Sequence, residues 1–105
     1  MTPLEQLDHL GVGRLYGGKR LTAASLCKAL SLPPGAFAPS NISQDRALAL
    51  AWAVELWDGR VPVGVQAHTR ARELAVRIGI EVARLRGCEV PAMVERGRLI
   101  FAEAK

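Results

Sequence analysis

The sequence predicts an all-α fold, a small single-domain bundle of four to five helices over residues 1–105 with one long helix. Three observations favour this class. Apolar residues recur at three- and four-residue steps between residues 65 and 86, as on one face of a helix. Residue types that cap helices precede the apolar runs. Half of the residues are apolar and 23% are charged, which is typical of globular rather than disordered chains.

The first helix has a complete start signal. Thr2 is a suitable N-cap, Pro3 fits the first helical position, and Glu5 is spaced to close a capping box. Gly11 ends the predicted helix. The glycine-rich segment from Gly11 to Gly18 is predicted to be a flexible connection.

Two further helices are predicted before residue 60. One opens near Thr22 and ends before Pro33, because proline lacks the backbone donor and disfavours helix in the residue before it. An irregular segment follows. Ser43 then caps a helix over about residues 44–57, which is apolar nearly all round and is therefore expected at the centre of the bundle.

The long helix is predicted from Val65 to Arg86, with Gly87 at the position that follows a helix end. At 1.5 Å per residue it extends about 33 Å, longer than the short N-terminal helices cover. A second apolar row, Val76, Ile80 and Ala83, lies beside its core face. The chain's own core covers one face, so the second row predicts contact with a partner.

Beyond Pro91 the pattern leaves two structures open. The favoured one is a single helix over residues 92–105. The alternative is a short helix to Arg96 followed by a strand through residues 99–101, which gives one short β pair. In that case Arg96, Gly97 and Arg98 could form the tip of a wing, which favours DNA binding.

The segment from Gly13 to Arg20 has the glycines and lysine of a phosphate-binding P-loop. Arg20 stands where that motif needs a hydroxyl to hold magnesium, and a helix rather than a buried strand precedes the segment. The segment is therefore interpreted as a glycine-rich linker that carries positively charged residues.

No catalytic constellation, metal site or cofactor site is predicted. His9 and His68 are far apart in sequence, and Cys27 and Cys88 do not form a CxxC pair. The two cysteines are expected to be reduced and buried. No serine or cysteine has a histidine partner at a recognisable spacing, so we expect a protein that is not an enzyme.

The sequence therefore predicts a small regulatory protein that binds another protein, for example an antiactivator that sequesters a transcription regulator. It is also expected to form a homodimer through the second apolar row. No apolar run approaches the length of a membrane span, and the N-terminus lacks a secretory pattern, which predicts a cytoplasmic location without membrane contact. The predicted partner-binding residues are Tyr16, Trp57, Arg72, Val76 and Ile80.

The alternative function is a helix-turn-helix DNA-binding transcriptional regulator. Its turn would lie at Gly79 inside the long segment, and Arg77, Arg84 and Arg86 would contact DNA. The formal net charge of +4 is compatible with nucleic acid and equally with an acidic protein.

Overall fold

The computed structural model describes residues 1–60, 69–87, 93–95 and 98–100. In that part of the chain, four helices and two short hairpins follow one another in the order α1–β1–β2–α2–α3–α4–β3–β4. The predicted small helical domain is confirmed at this level. The elements are α1 (Pro3–His9), β1 (Leu15–Tyr16), β2 (Lys19–Arg20), α2 (Ala23–Ala29), α3 (Gln44–Trp57), α4 (Thr69–Leu85), β3 (Met93–Glu95) and β4 (Arg98–Ile100).

The first three helices begin at the predicted caps. Thr2 Oγ1 accepts a hydrogen bond from the Glu5 amide at 3.2 Å, and the Glu5 carboxylate accepts one from the Thr2 amide at 3.0 Å. Thr22 and Ser25 form the same reciprocal arrangement at α2. Ser43 Oγ accepts from the amide three residues on and starts α3. Each cap satisfies amides that a helix start leaves without partners.

Helix α3 lies at the centre, as its composition predicts, and packs against both α1 and α4. The core around it is entirely apolar among the described residues. Its buried members from α3 are Ala49, Leu50, Ala53, Val54 and Leu56.

Helix α4 is continuous through Gly79, and Gly87 follows its end with a left-handed φ of +78°, as predicted. Its core row is fully buried and consists of Ala71, Ala75, Ile78 and Val82. The predicted start at Val65 lies outside the described residues. A helix is shown over Thr69–Leu85 and no further, so the predicted long helix from Val65 to Arg86 is not shown in full.

The second apolar row of α4 is more covered than the sequence predicts. Ala83 is fully buried, so its prediction as partner-facing is wrong. Val76 is half-buried and packs against the core, and Ile80 is half-buried. The reason is that α4 contacts both α2 and α3, and two neighbours cover a wider strip of a helix than one.

The predicted flexible connection after α1 is instead a β-hairpin. Leu15 pairs with Arg20, and Tyr16 pairs with Lys19. Gly17 and its neighbour Gly18 occupy the turn with φ of +57° and +81°, the left-handed geometry of a two-residue hairpin turn. The lysine of the P-loop-like segment therefore lies in a strand rather than at a helix start.

A second hairpin follows α4. Strand β3 pairs antiparallel with β4, with Met93 opposite Ile100 and Glu95 opposite Arg98. The favoured helix over residues 92–105 is therefore wrong for the described part of that segment. The alternative of a short helix to Arg96 is wrong for residues 93–95, which form β3, whereas its strand is confirmed at Leu99 and Ile100. Of the predicted wing tip, Arg98 lies in β4, and Arg96 and Gly97, like Phe101, lie outside the described residues.

Candidate partner-binding surface

Three of the predicted partner-binding residues share one row of α4. Arg72, Val76 and Ile80 are spaced by four residues, which places them along one side of the helix, next to its core row. Arg72 is exposed, whereas the two apolar side chains are half-buried. We call these three residues the α4 row.

The α4 row is joined by an aromatic residue of α3. The Arg72 guanidinium carbon lies 5.4 Å from the centre of the Trp52 ring, within the range of a cation–π interaction. The sequence favours a core position for Trp52 and a surface position for Trp57. Both indoles are in fact half-buried, each beneath an arginine of the chain.

Tyr16 and Trp57, the other two predicted partner-binding residues, belong to a different cluster. The Arg86 guanidinium carbon lies 5.0 Å from the centre of each ring. Arg86 Nη1 also donates to the carbonyl of Leu10 at 3.0 Å, and the Tyr16 hydroxyl donates to the carbonyl of Gly11 at 2.9 Å. We call Tyr16, Trp57 and Arg86 the Arg86 clamp, because it joins α1, the first hairpin, α3 and the end of α4.

The Arg86 clamp is closely packed. Gly11 is buried with a φ of +95°, and a β-carbon at this position would collide with the Tyr16 hydroxyl. Arg86 Nε is buried and has no hydrogen-bond partner among the described residues. A polar atom without a partner is costly, so the hydrogen bond of Nη1 and the two ring contacts must offset that cost. These contacts make the clamp a structural unit that holds Tyr16 and Trp57 within the fold.

Two of the three predicted DNA-binding arginines are also used inside the chain. Arg77 Nη2 donates to the carbonyl of Leu30 at 2.8 Å, as Arg86 does to Leu10. Leu30 and Leu10 are the C-cap residues of α2 and α1, where the helix dipole favours a positive charge. Arg84 pairs with a glutamate one turn earlier, and its side chain is 59% exposed.

The helix-turn-helix expected in the alternative is absent from the described residues. Its turn would have to break the chain at Gly79, and α4 passes through that residue as helix. Gly79 is buried, which agrees with close packing as the reason for a glycine at this position.

Ionisable groups gather at the ends of α1 and α3. His9 Nε2 lies 2.8 Å from the Asp58 carboxylate, which also contacts Arg60 at 3.0 Å. The Glu55 carboxylate, hydrogen-bonded and ion-paired to Arg60, raises the pKa of that guanidinium. At the other end of α1, hydrogen bonds from Thr2 lower the pKa of Glu5.

An open groove of about 560 Å³ runs along α1. Across residues 1–60 and the described parts that follow, no three histidine, cysteine or acidic side chains gather as metal ligands would. Cys27 is a buried free thiol, and Cys88 lies outside the described residues. The groove is lined by Met1, Leu4, Glu5, Asp8, His9 and Arg14.

The chain was compared with protein families, with curated proteins and with solved structures, and it matches none of them. Among the helices that are described, none has the length and apolar character required to cross a bilayer. Its function is therefore inferred from the geometry of the chain itself.

Proposed function

We propose that this chain is a small regulatory protein that binds another protein through the α4 row and Trp52. The observation that carries the proposal is the stack of Arg72 on Trp52 next to the half-buried Val76 and Ile80. Tryptophan and arginine are the residues that most often dominate the energy of protein interfaces, and they do so beside apolar contacts that exclude water. An antiactivator that masks a transcription regulator is one form of this function.

The partial burial of the α4 row favours a reversible complex. Obligate interfaces are large and resemble a divided core, whereas transient regulatory interfaces are smaller and more polar. Val76 already packs against the chain's own core, so a partner would cover its remaining surface only. So limited a remaining surface suits a regulator that must release its target better than it suits a permanent subunit.

A second copy of the chain is the simplest occupant of the same surface. Two-fold dimers pair the same patch from both subunits, so a row of one cation and two apolar residues would meet its own copy. The aromatic ring of Trp52 could then receive Arg72 from either subunit. The predicted homodimer thus remains part of the proposal, together with the predicted cytoplasmic location.

The test compares the tagged full-length chain with a double variant, Arg72→Ala and Ile80→Glu, in cells of the source organism. A matched control, Arg70→Ala and Leu85→Glu, alters two exposed positions of α4 away from the row. Co-purified proteins are quantified by mass spectrometry, and self-association is measured by sedimentation at micromolar concentration. Unfolding midpoints verify that all three chains fold.

We expect the wild type and the control to retain one defined partner, or the dimer. In the double variant this binding should fall at least about tenfold, which corresponds to a change of about 1.4 kcal/mol in the free energy of binding. Two outcomes would contradict the proposal. One is recovery of the same proteins with all three chains. The other is a monomer that retains nothing above background.

DNA binding remains the second candidate, because a β-hairpin follows α4 and Arg98 of the predicted wing tip begins its second strand. Of the predicted contacts, Arg84 is the one not bound to a backbone carbonyl. Sequence-specific binding to a short duplex that is lost in Arg84→Ala, with its fold intact, would favour this candidate over the protein-binding one.

A further inference from the structure

The positive charge of the chain is concentrated in one segment. Residues 9–44 contain no aspartate or glutamate and carry four of the 14 basic residues, and the other ten are balanced by the ten acidic residues. The whole formal net charge of +4 therefore lies on about a third of the sequence. Its cations are Arg14, Lys19, Arg20 and Lys28.

The first hairpin holds two of these cations on a fixed support. Its ladder continues beyond the strands, because the Gly13 amide donates to the carbonyl of Leu21 at 2.6 Å and the Leu21 amide donates to that of Arg14 at 2.9 Å. Tyr16 fastens the hairpin to the body of the protein through the Arg86 clamp. Lys19 and its neighbour in β2 are exposed.

Three of these four cations have no acidic partner for their side chains within the described part of the chain. The side chains of Lys19 and Lys28 make no hydrogen bond or ion pair within the described part of the chain. Arg20 donates to the uncharged carbonyl of Gly13 at 2.6 Å, which positions the side chain without neutralising it. Arg14 is the exception, since its Nη2 lies 3.8 Å from the carboxylate of Asp8.

We propose that the first hairpin and the exposed lysine of α2 form a binding surface for the phosphate backbone of nucleic acid. Three uncompensated cations, Lys19, Arg20 and Lys28, supply the attraction, and the absence of carboxylates in residues 9–44 removes the opposing repulsion. Contacts of this kind hold a duplex without reading its bases, so binding is independent of sequence. The surface differs from the arginines of the DNA-binding alternative and from the α4 row.

The same chemistry could attract an anionic lipid surface, but the hairpin is poorly suited to one. Leu15, 61% exposed, is the single large apolar side chain that residues 9–44 present to solvent. Stable attachment to a membrane requires inserted apolar groups in addition to cations. Phosphate contacts on a nucleic acid require the cations alone, which favours nucleic acid.

The test measures fluorescence anisotropy of a labelled duplex of about 20 base pairs and of a matching single strand, with salt varied between about 50 and about 200 mM. The full chain is compared with the double variant Lys19→Gln and Lys28→Gln, which removes two exposed cations without known contacts. A matched control, Arg46→Gln and Arg70→Gln, removes the same charge outside residues 9–44. Vesicles with and without an anionic lipid form a separate arm.

For the wild type we expect the logarithm of the duplex association constant to fall with that of salt concentration at a slope of about −2.7, corresponding to three neutralised phosphates. For the lysine variant the slope should be less steep by the contribution of about two phosphates. At the lowest salt this variant should also bind at least about tenfold more weakly. The control should keep the wild-type slope.

Three results would overturn the proposal. Equal losses in the lysine variant and the control would show that the affinity reports net charge alone. Binding to anionic vesicles without binding to either nucleic acid would assign the surface to membranes. No binding to nucleic acid at the lowest salt would exclude the surface altogether. None of these results depends on whether the α4 row binds a protein.

Discussion

The guanidinium of Arg86 lies 5.0 Å from the centre of the Trp57 ring and connects the end of α4 to the end of α3. The same guanidinium also contacts the ring of Tyr16, and its hydrogen bond to Leu10 reaches the end of α1. One side chain thus connects three parts of the chain that are distant in sequence. Substitutions at Arg86 and Gly11 measure how much this connection stabilises the fold.

Arg86→Ala should destabilise the protein by about 3 kcal/mol, because it removes a charged hydrogen bond to a helix end and two cation–π contacts. The control is Arg84→Ala, two residues earlier, which removes an exposed ion pair within α4 and should cost less than about 0.5 kcal/mol. Urea denaturation of both variants measures the free energies of unfolding. Similar losses would mean that the clamp contributes little.

Gly11→Ala should destabilise the protein more than Gly13→Ala. Both glycines have a φ of +95°, so both substitutions carry a backbone strain of about 1 kcal/mol. A methyl group at Gly13 meets open space, whereas at Gly11 it displaces the Tyr16 hydroxyl. The extra cost, about 1 to 2 kcal/mol, should diminish in a Tyr16→Phe background, because residues in contact are not additive. A full double-mutant cycle by thermal denaturation checks this, and an unchanged extra cost would contradict it.

Ile78→Ala and Ile80→Ala remove the same atoms from the same helix at different depths. Ile78 is completely buried, so its truncation should cost about 3 to 4 kcal/mol through lost transfer energy and a cavity. Ile80 is half-buried and should cost about 1 kcal/mol. Chemical denaturation measures both values. A cost at Ile80 equal to that at Ile78 would imply that the α4 row is covered in solution, as in a tight dimer.

Glu5→Gln should reduce stability at neutral pH and have little effect in acid. The hydrogen bonds from Thr2 lower the pKa of Glu5 in the folded protein relative to its ordinary value. A carboxyl group with a depressed pKa stabilises the fold above the ordinary pKa, and this contribution is lost as the pH falls through the lowered value. Unfolding temperatures of both proteins, measured from neutral to strongly acidic pH, should converge in acid. A constant difference would contradict the assignment.

The helix starts could be predicted because their determinants are local. Thr2 and Ser43 each lie three residues from the amide that they cap, and Gly87 lies two residues after the end of α4. The first hairpin also had a local signal, the glycine pair at residues 17 and 18. The glycine pair alone does not predict a hairpin here, because the strands are two residues long and show no alternation of apolar and polar residues.

The arginine contacts could not be predicted, because they depend on how the helices pack. Arg77 reaches Leu30 across 47 residues, and no spacing rule relates positions so far apart. The sequence singled out Tyr16 and Trp57 as candidates for exposed aromatic residues but could not show that Arg86 contacts both rings. The extent of burial of Val76 and Ile80 likewise depends on both neighbours of α4, which the periodicity of one helix does not reveal.

The bond between Arg86 and Leu10 spans 76 residues, nearly the full length described. During synthesis at about 5 to 20 residues per second, Leu10 is made about 4 to 15 seconds before its partner. For that interval the first hairpin has no arginine for Tyr16 to stack on. The N-terminal segment is therefore expected to reach its final position only after Arg86 has been synthesised.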